Sequence, residues 1–290
     1  MERIRIGCHE DKLAIIHTRR IMQDIKRADS TCQLDLMPIS AAEEPVQEQT
    51  GEPAGEQKPI SILQRALLEK RIDQAVYDLV ELNQGVAPGL MIAAYCTRLN
   101  VKHTLVLPIG AQQPELDRPI GVSGMHRRVQ AGSFYPRNDI APIRGDVHSR
   151  LKRLDRGDYS ALILPCDALS LLGLRNRSGR IFTEQEIVPA VGQGIFAIVT
   201  RIGEPHYCLS GVDDFPSRCC AKAELAFLKQ FDNPDVNPIA AFAKLEEDEI
   251  VLTGFYNNGK HSVKKQMNAP IADAAKLGER LANEILNQLH

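Results

Sequence analysis

An α/β architecture of two strand-and-helix lobes, followed by a small C-terminal α+β domain, is predicted by three observations. Apolar strand-length runs alternate with amphipathic helical runs as far as Arg201, which is the rhythm of sheets covered by helices. The 290 residues exceed what one hydrophobic core usually organises and imply two or three compact units. From Pro216 onward the pattern changes to a helix, short strands and a last helix.

The elements follow in order. Ile4-Arg-Ile-Gly7 alternates charge with isoleucine and reads as a strand, residues 13–27 as a helix, and Gln33-Leu-Asp-Leu-Met-Pro38 as a second strand, together suggesting a parallel sheet. Residues 41–57 hold five Glu, three Gln, two Pro and two Gly with no aromatic residue, a composition unable to offset the entropy of ordering, so a mobile exposed loop is expected. Residues 60–70 form an amphipathic helix, and the strand from Ile72 to Val80 delivers Glu81 to its C-terminal end. A turn at Gly85-Val-Ala-Pro-Gly89 precedes an alternating stretch, 91–106, that leaves the first lobe, and residues 120–186 build the second. Val191-Gly-Gln-Gly194 and the apolar run to Arg201 return the chain to the first lobe as a strand. The last domain comprises a helix over 217–231, strands at 239–243 and 250–256, and a helix over 271–289. The domains are therefore expected at 1–95 with 194–213, at 99–190, and at 216–290.

Composition narrows the partners. With 35 Lys+Arg against 37 Asp+Glu the net charge is -2, so no global field favours nucleic acid, and an anion preference has to come from local clusters. No secretory leader or membrane-length apolar run is present, which leads us to expect a cytoplasmic protein and no membrane partner. The seven cysteines, at 8, 32, 96, 166, 208, 219 and 220, show no paired metal spacing, and all are expected to be reduced thiols and no metal site is expected.

Local anion clusters are present. Gly121-Val-Ser-Gly-Met-His-Arg-Arg128 and Ile143-Arg-Gly-Asp-Val-His-Ser-Arg150 each read as a turn opening a helix, with arginines where backbone N–H groups point. Arg144 precedes a Gly-Asp helix start and Arg150 falls on its second turn, so both are read as carboxylate binders, whereas Arg128, Lys152 and Arg153 equally fit a solvated helix face. Taken alone, Glu81 reads as a solvated strand-end carboxylate.

Read in order along nearly the whole chain, these motifs resemble the hydroxymethylbilane synthase (porphobilinogen deaminase) family. Gly7-Cys-His-Glu-Asp-Lys-Leu-Ala14 is similar to the family's opening Gly-Thr-Arg-x-Ser-x-Leu-Ala, and Leu67-Leu-Glu-Lys-Arg-Ile-Asp-Gln-Ala-Val76 to the stretch before its catalytic aspartate. The run from Arg144-Gly-Asp-Val to Leu154-Asp155 follows, then Gly157-Asp-Tyr-Ser-Ala-Leu-Ile-Leu164, Leu172-Gly-Leu174 and Gly192-Gln-Gly194. The resemblance implies two lobes like those of periplasmic binding proteins, with substrate in the cleft between them and a cofactor loop from the third domain. It implies tetrapyrrole biosynthesis, the linking of four porphobilinogen units on a cysteine-bound dipyrromethane.

By the same resemblance Glu81 occupies the slot of the catalytic aspartate, on a stem one methylene longer, and Arg127, Arg144, Arg150, His126, His9 and Asp11 fall on substrate-binding positions. His9 and His126 stand where the family has arginines, Asp11 where it has serine, and Val80 where it has lysine. A histidine carries neither the permanent charge nor the forked donor set of arginine. The segment Asn233-Pro-Asp-Val-Asn-Pro-Ile239 matches the cofactor loop, but Asp235 takes the place of its cysteine and cannot form the thioether. Cys8 borders the opening motif, and its neighbour His9 gives it only a weak nucleophile signature.

The leading expectation is thus a family member without a covalent cofactor that retains a cleft for a small anionic ligand: porphobilinogen, a linear tetrapyrrole or another polycarboxylate. A protein partner is compatible with this. The alternatives are an active synthase whose dipyrromethane has another anchor, and a non-enzymatic carboxylate-binding module.

Overall fold

The computed structural model describes residues 3–40, 60–204, 207–232, 234 and 236–289. The acidic stretch 41–57 and Asp235 lie outside the described residues. In chain order the elements begin β1 (Ile4–His9), α1 (Lys12–Ala28), β2 (Leu34–Ile39), α2 (Ile62–Leu68), β3 (Gln74–Asp78) and β4 (Leu90–Tyr95). They continue with β5 (His103–Val106), β6 (Ile120–Val122), α3 (Met125–Phe134), β7 (Ile140–Pro142), α4 (Val147–Asp155), β8 (Ala161–Pro165), α5 (Cys166–Leu171) and β9 (Ile181–Phe182). The chain closes with β10 (Phe196–Arg201), α6 (Phe215–Leu228), β11 (Ile239–Glu246), β12 (Glu249–Asn257), β13 (Ser262–Pro270) and α7 (Ala274–Asn287). They gather into two compact units, one of residues 1–97 and 195–217, the other of residues 98–194 and 218–290.

The first unit is built on a five-stranded sheet ordered β2-β1-β3-β10-β4. Strand β1 pairs in parallel with β2 and β3, as the alternation of strands and helices predicts, whereas β10 runs antiparallel to both β3 and β4. The returning strand thus departs from the parallel pattern: it enters the sheet from the other end, a direction that no local residue pattern encodes. Helix α1 starts where Asp11 accepts from the N–H groups of Leu13 and Ala14, and ends with Lys26 and Arg27 at its negative pole. Its inner face places Ile21 and Ile25 on Ile6, Leu34, Val76 and Ile198. Burying Ile25 completely contributes about 1.5–3 kcal/mol.

Cys32 and Cys208 form a disulfide in this unit, with Cα atoms 6.4 Å apart. This corrects the expectation that all seven cysteines are reduced. The partners lie 176 residues apart, one in the loop after α1 and one just after β10, and only the packed fold brings them within bonding range. The other five cysteines lie outside any disulfide and are buried.

The second unit holds a five-stranded sheet ordered β7-β6-β8-β5-β9, parallel through β7, β6 and β8 and antiparallel at β5. Its core gathers Ile120, Val122, Ala131, Ile163 and Phe182. The same unit contains the antiparallel sheet β11-β12-β13, with α6 and α7 beside it. Gly278 on α7 allows that helix to lie against α6: a Cβ there would stand 2.7 Å from the Phe227 nitrogen and closer still to the Ala223 carbonyl. Strand β13 was not foreseen. Exposed and half-buried side chains alternate along Ser262–Asn268, including Lys264 and Lys265, so the edge strand lacks the apolar run that marks an interior one.

Candidate functional site

In the first unit, β1 and β3 are parallel neighbours, so their C-terminal ends emerge on one edge of the sheet, the usual ligand edge of an open α/β sheet. His9 is the last residue of β1, and Glu81 sits on the 3-10 turn Leu79–Leu82 that follows β3. His9 Nε2 stands 2.9 Å from Glu81 Oε2, both side chains remaining partly exposed. The His9 ring meets Tyr77 edge-on at 6.2 Å, and the Tyr77 hydroxyl pairs with Ser61 Oγ at 2.8 Å. Burial, reinforced by the nearby Glu81 carboxylate, pushes the Tyr77 phenol well above its ordinary range, although the Ser61 hydrogen bond opposes this. Tyr77 is therefore a fixed neutral wall of the site.

Asp11, expected to bind substrate, spends one carboxylate oxygen on the N–H groups of Leu13 and Ala14, both at 3.0 Å. It works as the cap of α1. Cys8 is buried, and burial raises its thiol pKa, which suppresses the thiolate a nucleophile needs.

In the second unit, α3 opens at Gly124, whose φ of 86° is the left-handed conformation glycine favours and which offers no side-chain cap. The N–H groups of the first turn are thus not taken by a cap. Arg127 folds back over this turn, where a Cβ on Gly124 would stand 3.1 Å from its Nη2 and 3.3 Å from the His126 ring. Arg127 Nη1 lies 3.2 Å from Nε2 of the buried His103 on β5. Arg150, on α4, donates from Nη1 to Ser123 Oγ at 3.0 Å and from Nε to the Gly145 carbonyl at 2.7 Å. Arg127 and Arg150 are therefore both drawn to the Ser123–Gly124 entrance of α3. Arg144 is exposed and makes no hydrogen bond or ion pair with the described residues; it is available, but nothing in the unit ties it to the other two. Arg153 bonds Asp158 and lies over the Tyr159 ring at 4.9 Å, which fits the solvated-face reading.

Electrostatics separate these groups. Burial first, then the Arg127 charge, pushes His126 down to about 3, and burial with Arg127 and His126 drives His103 far below the ordinary histidine range. Both rings are neutral at pH 7, and the positive charge at the helix entrance comes from the arginines.

Glu224 belongs to none of the motifs read from the sequence. Fully buried on α6, it accepts from the Gly192 and Ala243 N–H groups, both at 2.7 Å, and from Arg98 Nη1 at 2.5 Å. It joins the Gly192-Gln-Gly194 segment, the residue opening the second unit and strand β11. A single acid in the otherwise mostly apolar stretch from Cys219 to Phe227 was the signal.

A mixed α/β fold with two guanidinium groups gathered at an uncapped helix N-terminus is of a class chemically able to hold an anion there. Comparison with known proteins narrows the class. The chain matches the family model for the porphobilinogen deaminase dipyrromethane cofactor-binding domain over residues 4–208, and that for the porphobilinogen deaminase C-terminal domain over residues 218–287. It is 31% identical to the porphobilinogen deaminase of Alkaliphilus oremlandii over 288 residues, covering 99% of this chain and 96% of the relative. Identity to the Acetivibrio thermocellus porphobilinogen deaminase is 33%, with 98% of both chains covered. A periplasmic sulfonate-binding protein of Methylobacillus flagellatus superposes with a TM-score of 0.39 at 11% identity, over 81% of this chain and 71% of its own. The chain belongs to the porphobilinogen deaminase family. No helix among the described residues is long and apolar enough to cross a membrane.

Proposed function

We propose that this protein is a divergent member of the porphobilinogen deaminase family that binds porphobilinogen or a related pyrrole polycarboxylate and lacks the family's cysteine-linked primer. The observation that carries the binding reading is the placement of Arg127 and Arg150 at the uncapped entrance of α3. The acetate and propionate groups of porphobilinogen match guanidinium forks and helix N–H donors, and Arg144 would supply a third cation. Glu81, in the slot of the family's aspartate, is the carboxylate proposed to meet pyrrole N–H groups and to stabilise positive charge as ammonia leaves. His9 holds that carboxylate at 2.9 Å.

The donor set does not fit a thioether-linked dipyrromethane. The aligned position is Asp235, and the five cysteines outside the disulfide are all buried, with the thiols of Cys8, Cys96, Cys166 and Cys219 pushed up by burial. A thioether anchor needs an accessible thiolate.

Intact-mass measurement of the purified protein, with Ehrlich's reagent in acid, tests the missing primer. The bare polypeptide mass and no pink colour are expected. A covalent pyrrole adduct on any residue overturns the reading in favour of a synthase with a relocated anchor. Calorimetric titration with porphobilinogen tests the binding site, and heat indistinguishable from dilution removes it.

A further inference from the structure

The contact between His103 and Arg127 has a chemical direction. Guanidinium can only donate, so at 3.2 Å the His103 Nε2 atom has to be the accepting lone pair. The ring is then neutral with its proton on Nδ1, and this Nδ1 is buried with no hydrogen-bond partner among the described residues. A buried donor left unpaired is costly and calls for an explanation. Packing alone would be served better at this fully enclosed position by leucine or phenylalanine.

The location supplies the explanation. His103 is 1% exposed and begins β5, which is held on both sides by β8 and β9. Its ring is a rigid fixture of the sheet. Arg127 is half-buried, and its guanidinium curls over Gly124 into the first turn of its own helix. A flexible four-torsion side chain is thereby brought to the helix entrance before any ligand arrives, which lowers the ordering cost of binding.

We infer that His103 is a positioning residue for anion recognition: its neutral Nε2 accepts from Arg127 and presets the guanidinium at the N-terminus of α3 for a carboxylate ligand. The inference rests on the proposed pyrrole-carboxylate site. It adds a residue that touches no ligand and acts through Arg127. The strand position of His103 gives it a fixed reach that no residue on α3 itself could provide.

The test combines a mutant cycle with a spectroscopic readout on the full-length chain. His103→Leu should weaken porphobilinogen binding about tenfold, the scale of one charge-assisted hydrogen bond. His103→Gln, whose amide oxygen can still accept, should stay within about threefold of wild type. In an Arg127→Ala background, His103→Leu should change affinity by less than about twofold; an equal loss there makes the role merely structural and overturns the inference. Nitrogen NMR of the wild type needs neither variant nor ligand. It should show the Nδ1–H tautomer at His103 and separate, slowly exchanging Nη signals for Arg127. The Nε2–H tautomer, or free guanidinium rotation, refutes the contact even if His103→Leu fails to fold. A wild type that shows both NMR signatures and binds no porphobilinogen refutes the proposed ligand site instead, leaving the His103–Arg127 contact standing.

Discussion

Glu224 offers the sharpest test of how the second unit is held together. Replacing it with alanine removes the acceptor of four donors at once: the N–H groups of Gly192 and Ala243, and two nitrogens of Arg98 at 2.5 and 3.3 Å. The Arg98 side chain is only 12% exposed, so its charge cannot simply return to water. Its remaining bonds to the carbonyls of Gln193 and Ala243, and its stacking 4.5 Å over Phe242, offset part of the loss. Breaking a buried ion pair on one side costs about 3–5 kcal/mol, against a total stability of roughly 5–15 kcal/mol for a folded domain. With a urea m-value of about 2 kcal/mol/M, the unfolding midpoint followed by circular dichroism should fall by roughly 1.5–2.5 M. Glu224→Gln should be intermediate, because its NH2 group necessarily faces a backbone donor that wants an oxygen. Arg98→Met combined with Glu224→Leu should recover stability relative to Glu224→Ala, since no buried charge is then left alone. A Glu224→Ala midpoint within about 0.3 M of wild type, on the same m-value scale, would refute this account of the network.

Three further outcomes follow from other sites. His103 and His126 have pKa values below that of the unfolded chain, about 6.5, so only the unfolded chain takes up their protons as pH falls; stability is full near pH 7.5 and lost below 6.5 at up to about 1.4 kcal/mol per pH unit for each ring. Urea melts at pH 7.5 and 5.5 should show this fall, and His103→Gln should flatten it; an unchanged slope in that variant contradicts the assignment. Arg150→Ala should weaken porphobilinogen binding by at least about tenfold and Arg144→Ala should do the same, with affinity falling as salt rises, because both proposed contacts would be charge-assisted; calorimetry that finds equal binding for Arg144→Ala and wild type removes Arg144 from the site. Reducing the Cys32–Cys208 link with a dithiol, or replacing Cys32 with serine, should lower the melting temperature of the first unit by an amount corresponding to roughly 2–4 kcal/mol, and a melting curve insensitive to reductant would deny the bond a stabilising role.

Local pattern carried most of the fold. Strands β1 and β2 were legible because charged and apolar residues alternate at Ile4-Arg-Ile6 and Leu34-Asp-Leu36, helix α1 because its buried residues recur at helical spacing, and Gly192-Gln-Gly194 announced the returning strand. The antiparallel entry of β10 was not legible, since direction is set by where a distant segment re-enters the sheet. The polar edge strand β13 escaped for the opposite reason: half of its side chains never enter a core. The paired arginine motifs were readable as candidates because each stands beside a glycine turn that opens a helix, and the second unit brings Arg127 and Arg150, but not Arg144, to the entrance of α3. A lone His103 in an apolar strand and a lone Glu224 in an apolar helix carried little signal in sequence, because each acquires its role from partners 24 and 126 residues away. Asp11 gave the reverse lesson: its alignment suggested a substrate contact, while its position two and three residues before two free helix N–H groups favoured the cap it makes.

These positions also differ in what a substitution can reveal. Glu224, Gly278 and Gln130 are buried and bonded or packed on several sides, so any change there disturbs folding before it reports on chemistry. Glu81 and His9 are partly exposed, at 44% and 31% of their side-chain surface, and an exposed pair of this kind contributes only about 0–1 kcal/mol to stability even when both partners are charged. Glu81→Gln should therefore leave the urea midpoint of the first unit almost unmoved, while removing the negative charge that would stabilise a developing pyrrole cation. If the protein releases ammonia from porphobilinogen at all, that variant should lose at least about 100-fold in rate, the scale of deleting one preorganised electrostatic group. Measuring ammonia release and unfolding on the same preparations separates the two contributions. Release unchanged in Glu81→Gln would reject the carboxylate as the catalytic group, and release lost together with the fold would place Glu81 among the structural residues, against its exposure.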